Sequence, residues 1–360
     1  VPQSSFLNHV PMAFPDYANL AEQQQSFSGL LGYALITLAL ETEEGGELIS
    51  GELVTGNYFA TLGLQPRLGH ETVPADMTNQ QREWHAGPKP GSGAPIMRLI
   101  DTHTHIDYPD FDADRPEVIT RSHSAGVARA LIMGVTHENW QRSWHLAISD
   151  ERLFAAFGMH PIYLEQHQDS HLPELRRWLE RFASHPKCCA VGEIGLDYFL
   201  KDLDRPRQQT LLEAQLDLAA EFDKPVLLHV RKAHAAMIAT LKRWKLPRAG
   251  IVHSFAGSAE EAREYIKLGF KLGLGGAATW PQANRLRKVV AELPASALVL
   301  ETDSPDMAPS FQAYQRNSPE YLPQICQLLA ELRGESAEQL AETCLHNTCE
   351  LFGWQPDAVP

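Results

Sequence analysis

Between Leu99 and Asp303 the chain alternates eight short apolar runs with stretches of helical spacing, and most of the runs stop at a polar side chain. The runs are 98–103, 128–135, 152–159, 188–194, 225–230, 249–255, 269–275 and 297–302. Each is rich in Val, Ile, Leu and Ala and is short enough for a buried strand. Gln208–Phe222 and Ser258–Leu268 repeat apolar residues every three or four positions, the second behind the candidate N-cap Ser258. Strand and helix in alternation about eight times predict an α/β fold, a (β/α)8 TIM barrel. A doubly wound open sheet is the alternative. It is disfavoured because no Gly-rich phosphate loop follows the first run.

The ends of the runs carry the chemistry. They read Asp101-Thr102-His103-Thr104-His105, Gly158-Met159-His160-Pro161, Gly192-Glu193-Ile194-Gly195-Leu196-Asp197, His229-Val230-Arg231, His253-Ser254-Phe255 and Glu301-Thr302-Asp303. Residues two apart on a strand point the same way, so His103 and His105 can hold one ion from one side. In a closed parallel barrel the carboxyl ends of all strands meet on one face, which brings His229, His253, Glu193 and Asp303 to the same place. Six such ligands exceed what one four-coordinate ion needs. The economical reading is two divalent ions, Mg, Mn or Zn, bridged by Glu193, with Asp303 both ligand and general base for water. Glu193 and Asp303 are thus the candidate catalytic residues. His160, Arg231 and Arg316 are candidate substrate contacts, although a packed histidine, a salt bridge and a loop brace account for them about as well. Glu301 is a candidate for orienting a ligand from behind. Asp197 and Tyr198 read as loop structure.

The first 96 residues differ in character. They hold 3 Lys/Arg against 10 Asp/Glu, and the whole chain carries a formal charge of −14. Bulk charge therefore repels a polyanion, and any nucleic-acid binding must rely on local cations and bound metal. A Gly- and Pro-rich stretch at 74–96 reads as a linker. It divides an N-terminal segment, 1–73, from the barrel, 97–360, and Met97 is the expected natural start of the barrel protein. Five cysteines without a CxxC pair point to free thiols in a reducing cytoplasm. The longest apolar stretch, Gly29–Leu40, is too short for a membrane span.

Two resemblances follow. Residues 97–354 resemble the TatD family of metal-dependent hydrolases, through the run-end motifs quoted above together with Pro225–Arg231, His253–Ser258, Leu300–Pro305 and Arg316-Asn317-Ser318-Pro319. The resemblance implies metal ligation by His103, His105, Glu193, His229, His253 and Asp303. It also implies phosphodiester hydrolysis, often as a 3′→5′ exonuclease acting on DNA ends. Ser254 stands where Cys is frequent and Asp306 where an aromatic residue is frequent. The stretch 47–70 resembles a fragment of the periplasmic domain of MacB-like permeases and implies no transport function. A small-molecule amide, ester or phosphoester hydrolase on the same barrel is the competing activity, since a fold does not fix a function. A non-catalytic binding module is disfavoured because all six ligands are present.

Overall fold

All eight apolar runs are strands. In the computed structural model, which describes Tyr33–Thr42, Gly45–Val54 and residues 97–359, they follow the N-terminal hairpin strands β1 (Tyr33–Thr42) and β2 (Gly45–Val54). They are β3 (Leu99–Thr104), β4 (Val127–Gly134), β5 (Leu153–Phe157), β6 (Cys188–Asp197), β7 (Val226–Arg231), β8 (Gly250–Val252), β9 (Lys271–Leu274) and β10 (Leu298–Leu300). They pair in sequence order and in parallel. Main-chain bonds from His105 to the Ser304 carbonyl (2.7 Å) and from Asp303 to the His103 carbonyl (2.8 Å) join the last strand region to the first. The Asp101 carboxylate completes the seam by accepting from the Thr302 amide (2.9 Å) and hydroxyl (2.6 Å). Burial drives the Asp101 carboxyl up to about 7, against the pull of those bonds.

Helices fill each crossover. Arg205–Glu221 and Ala259–Lys267 lie where the apolar spacing puts them. Ser258 caps the second by accepting from the Glu261 amide while the Glu261 carboxylate accepts from the Ser258 amide, a capping box. Two more helices, Leu322–Arg333 and Ala337–Phe352, follow β10.

The pleat separates two of the core's buried clusters. Leu227, Ile251 and Val299, each two residues before His229, His253 or Glu301, share one buried cluster with Ile100 and Met133. Their alternates Leu228, Val252, Leu298 and Leu300 pack instead with helix residues such as Leu212, Met237 and Leu329. An alternating strand thus fills the barrel interior with one set of side chains and aims the next residue of that set at the mouth.

The strands differ in length from the sequence expectation where the site is built. β8 stops at Val252 and β10 at Leu300, because Ser254 (φ 45°) and Asp303 (φ 58°) turn the backbone into the left-handed region and out of the ladder. β6 runs on to Asp197, where the expectation stopped at 194.

The chain divides between Ala94 and Pro95 into two units. Of the first unit, the structure describes the antiparallel pair β1–β2, in register from Tyr33↔Val54 to Thr42↔Gly45. The expected linker at 74–96 and most of the MacB-like stretch lie outside the described residues. Among the described residues, no helix is long and apolar enough to cross a membrane.

Candidate metal centre

Glu193 is almost fully buried at the end of the barrel, and its two carboxylate oxygens face different groups of imidazoles. Oε2 lies 3.2 Å from His103 Nε2 and 3.7 Å from His105 Nε2. Both rings also approach Asp303 Oδ1, each at 3.5 Å. Oε1 lies 2.9 Å from His160 Nε2, 3.3 Å from His229 Nδ1 and 2.9 Å from His253 Nε2. His103 stacks on His253 with ring centroids 4.0 Å apart, so residues from β3 and from the end of β8 touch across the mouth.

Three sets of side chains bring their donor atoms within 4.8 Å of one another: His103, His253 and Asp303; His103, His105 and Glu193; and His160, Glu193 and His229. All six expected ligands are therefore gathered at one place. His160, a candidate substrate contact or packed histidine, lies against Glu193 Oε1 in the second group of imidazoles.

The electrostatics of this cluster call for positive charge. Burial alone would raise the Glu193 carboxyl, yet His160, His253 and His103 hold it well below its ordinary value. Burial would lower His253, but Glu193 holds it well above. His160, buried and beside other imidazoles, is pushed down to about 4 in spite of Glu193. Five imidazoles around one carboxylate cannot all be protonated, and a neutral ring can satisfy the carboxylate from only one nitrogen. Buried Nδ1 atoms of His103, His105 and His253 have no hydrogen-bond partner. Nitrogen and oxygen donors converging on shared points, with negative carboxylates between them, suit divalent cations of the borderline to hard kind. The residues present fit such ions.

Further groups contact the candidate ligands. Asp197 Oδ2 lies 2.9 Å from His229 Nε2, fixing that ring's orientation. The loop reading of Asp197 is thus incomplete; its spacing, four residues beyond Glu193 on the same run, carried the signal. Glu301 accepts from the Ser254 amide and sits 3.7 Å from His253 Nδ1. A Cβ on Gly273 would fall 2.1 Å from Glu301 Oε2, so only glycine leaves room for this carboxylate. Tyr108 packs on His105 at 4.6 Å, and its hydroxyl lies 3.3 Å from that of Tyr163, a pair that sequence reasoning missed.

Neither arginine forms an ion pair with a residue of the cluster. Arg231 lies over the Phe199 ring, 3.7 Å from its centroid. Arg316 donates twice to Asp114, at 2.8 and 2.7 Å, and once to the Asp110 carbonyl, so its guanidinium braces the loop before the last helices. Neighbouring Asn317 ties the Thr302 and Asp306 carbonyls together, each at 2.7 Å.

Residues 100–353 match the family model described as TatD related DNase. A metal-dependent hydrolase of Escherichia coli K12 named YjjV, itself uncharacterized, is 44% identical over 257 residues, spanning 71% of this chain and 98% of its own length. The 3′-5′ ssDNA/RNA exonuclease TatD of Pantoea ananatis is 35% identical over 267 residues, spanning 71% and 99%. The crystal structure of YjjV superposes with a TM-score of 0.69, covering 72% of this chain and all of that one. A TatD family hydrolase from Entamoeba histolytica, at 20% identity and a TM-score of 0.62, shares the fold.

Proposed function

We propose that this chain, which belongs to the TatD family of metal-dependent hydrolases, removes nucleotides from the 3′ ends of DNA at a centre of two divalent ions. Family membership carries metal-dependent hydrolysis of ester bonds. The observation that supports two ions is the Glu193 carboxylate, with one oxygen turned to His103 and His105 and the other to His160, His229 and His253.

Divalent ions bound here would lower the pKa of water and neutralise charge on a phosphodiester. His103, His105 and Asp303 would hold one ion, His229 and His253 the other, and Glu193 both. Asp303 is the carboxylate that meets water: its side chain is 15% exposed against 2% for Glu193. Burial would raise its carboxyl, but the His105 hydrogen bond and the neighbouring imidazoles outweigh that and keep it ionised. It is therefore ready to take a proton from an attacking water. Asp197 keeps His229 oriented, and Glu301 sets a negative charge beside His253. The nucleic-acid substrate is supported by the exonuclease name of the Pantoea relative. Five unpaired cysteines, all buried, favour a cytoplasmic setting.

The test is a panel of Mg, Mn and Zn against 5′-labelled single-stranded DNA, the matching RNA and bis(p-nitrophenyl) phosphate, with metal content measured on the purified protein. A ladder shortened from the 3′ end, with two ions per chain, is expected. Shortening from the 5′ end, or cleavage of small amides or esters without any ladder, would overturn the reading.

A further inference from the structure

Five large apolar side chains are exposed among the described residues: Ile148, Phe199, Leu200, Met307 and Tyr314. Four of them fall in two segments, one just after β6 and one just after Asp303. Both segments leave the mouth of the barrel from residues of the candidate centre. The Phe199 amide donates to Asp197 Oδ1 (2.9 Å), and the other oxygen of that carboxylate holds His229. Met307 follows Asp303 by four residues and Tyr314 lies on the same loop.

Each segment presents an aromatic ring whose seat is fixed. Phe199 is 50% exposed, with the Arg231 guanidinium against one face. Arg231 is itself held opposite Asp197 in the β6–β7 ladder. The other ring, Tyr314, is 69% exposed and meets Trp280 edge-on, with centroids 6.3 Å apart. Trp280 is anchored through its indole N–H to the Ala308 carbonyl at 3.0 Å. A cation on one face, or an edge-on neighbour, leaves the opposite face of the ring free for a planar group.

We propose that Phe199 with Arg231, and Tyr314 with Trp280, are two stacking platforms that hold unpaired bases on either side of the phosphodiester presented to the centre. The proposal rests on the nucleic-acid reading above. The chemistry that favours this occupant is twofold. The chain is acidic, so long-range attraction to a polyanion is lacking, and groups indifferent to charge add contact beside the few local cations. Every base offers a π-face, and stacking on aromatic side chains binds single strands without regard to sequence. In a duplex those faces are already stacked on neighbouring pairs, so the platforms select frayed or single-stranded ends. Arg231 adds a guanidinium beside the first platform, where a backbone phosphate passes.

The experiment has a binding arm and a kinetic arm, both on the full chain. In the first, EDTA-treated protein is titrated into fluorescein-labelled dT12 and into a blunt duplex of equal length, read by anisotropy. In the second, KM and kcat are measured with metal for dT12 and for bis(p-nitrophenyl) phosphate. Phe199→Ala and Tyr314→Ala should each weaken dT12 binding roughly tenfold and raise its KM about tenfold more than that of the small diester. Phe199→Trp should restore both values. Ile148→Ala, on the helix His137–Ser149, should leave them as in the parent. The platforms are overturned if both alanine variants bind dT12 like the parent, or if the parent binds duplex as tightly as single strand. A parent that binds dT12 tightly yet cleaves neither substrate would sink the nuclease reading while leaving the platforms standing.

Discussion

Glu193 turns one oxygen to each group of imidazoles, the arrangement expected of a carboxylate shared by two ions. Glu193→Gln keeps the shape and removes the charge. It should lower kcat/KM by about 10³-fold, roughly 4 kcal/mol of barrier, and reduce bound metal per chain. Plasma mass spectrometry of the purified variant checks the second point; metal content equal to the parent would argue against the bridge. Glu301 acts at one remove, through His253 and the Ser254 amide. Glu301→Gln should cost about 10–100-fold in metal affinity, the usual effect of losing a ligand's outer partner. The near-native circular dichroism expected of that variant separates lost positioning from lost folding.

At the scale of elements, the strand ends decide the site and the loops beyond them decide access. Gly273 on β9 gives Glu301 its space, and a Cβ there meets the carboxylate at 2.1 Å. Gly273→Ala should therefore destabilise the barrel by about 1–3 kcal/mol, read from the urea midpoint. The loop after β10 is braced by Arg316 against Asp114. The Arg316 hydrogen bond holds the Asp114 carboxyl below its ordinary value in spite of slight burial. A depressed carboxyl contributes stability above its unfolded value and loses it as pH falls through the folded one. The cost of Arg316→Ala should thus be larger at pH 7 than in acid below the ordinary carboxylate range, as paired denaturation curves would reveal. The positions of the strands were legible from apolar runs alone, because a buried parallel strand needs an unbroken row of Val, Ile, Leu and Ala. Their C-terminal limits were not, because Ser254 and Asp303 leave the ladder through left-handed turns that no periodicity encodes.

For the whole molecule, the seam between Asp101 and Thr302 makes the barrel one closed unit whose ends lie about two hundred residues apart in sequence. A chain beginning at Met97 should fold and keep its activity; loss of either would make the N-terminal segment integral. Metal should stabilise the same unit. At about 100 times the dissociation constant, binding adds roughly 2.7 kcal/mol, which for a domain of this size raises Tm by about 5–10 °C. A Tm unchanged by EDTA would contradict the proposed metal centre.

The sequence by itself determined the alternation of strand and helix, and the ligand types at the run ends, because both follow from side-chain chemistry and short-range spacing. It also placed His103, His105, Glu193, His229, His253 and Asp303 in one group, since parallel strands in a closed barrel share a mouth. Only the tertiary structure decided how they divide about Glu193. It likewise showed His160 beside that carboxylate, Asp197 behind His229 and Arg316 paired with Asp114. Those outcomes depend on distances between side chains from separate strands, which are fixed by barrel closure and by backbone turns, and no local pattern of residues records them.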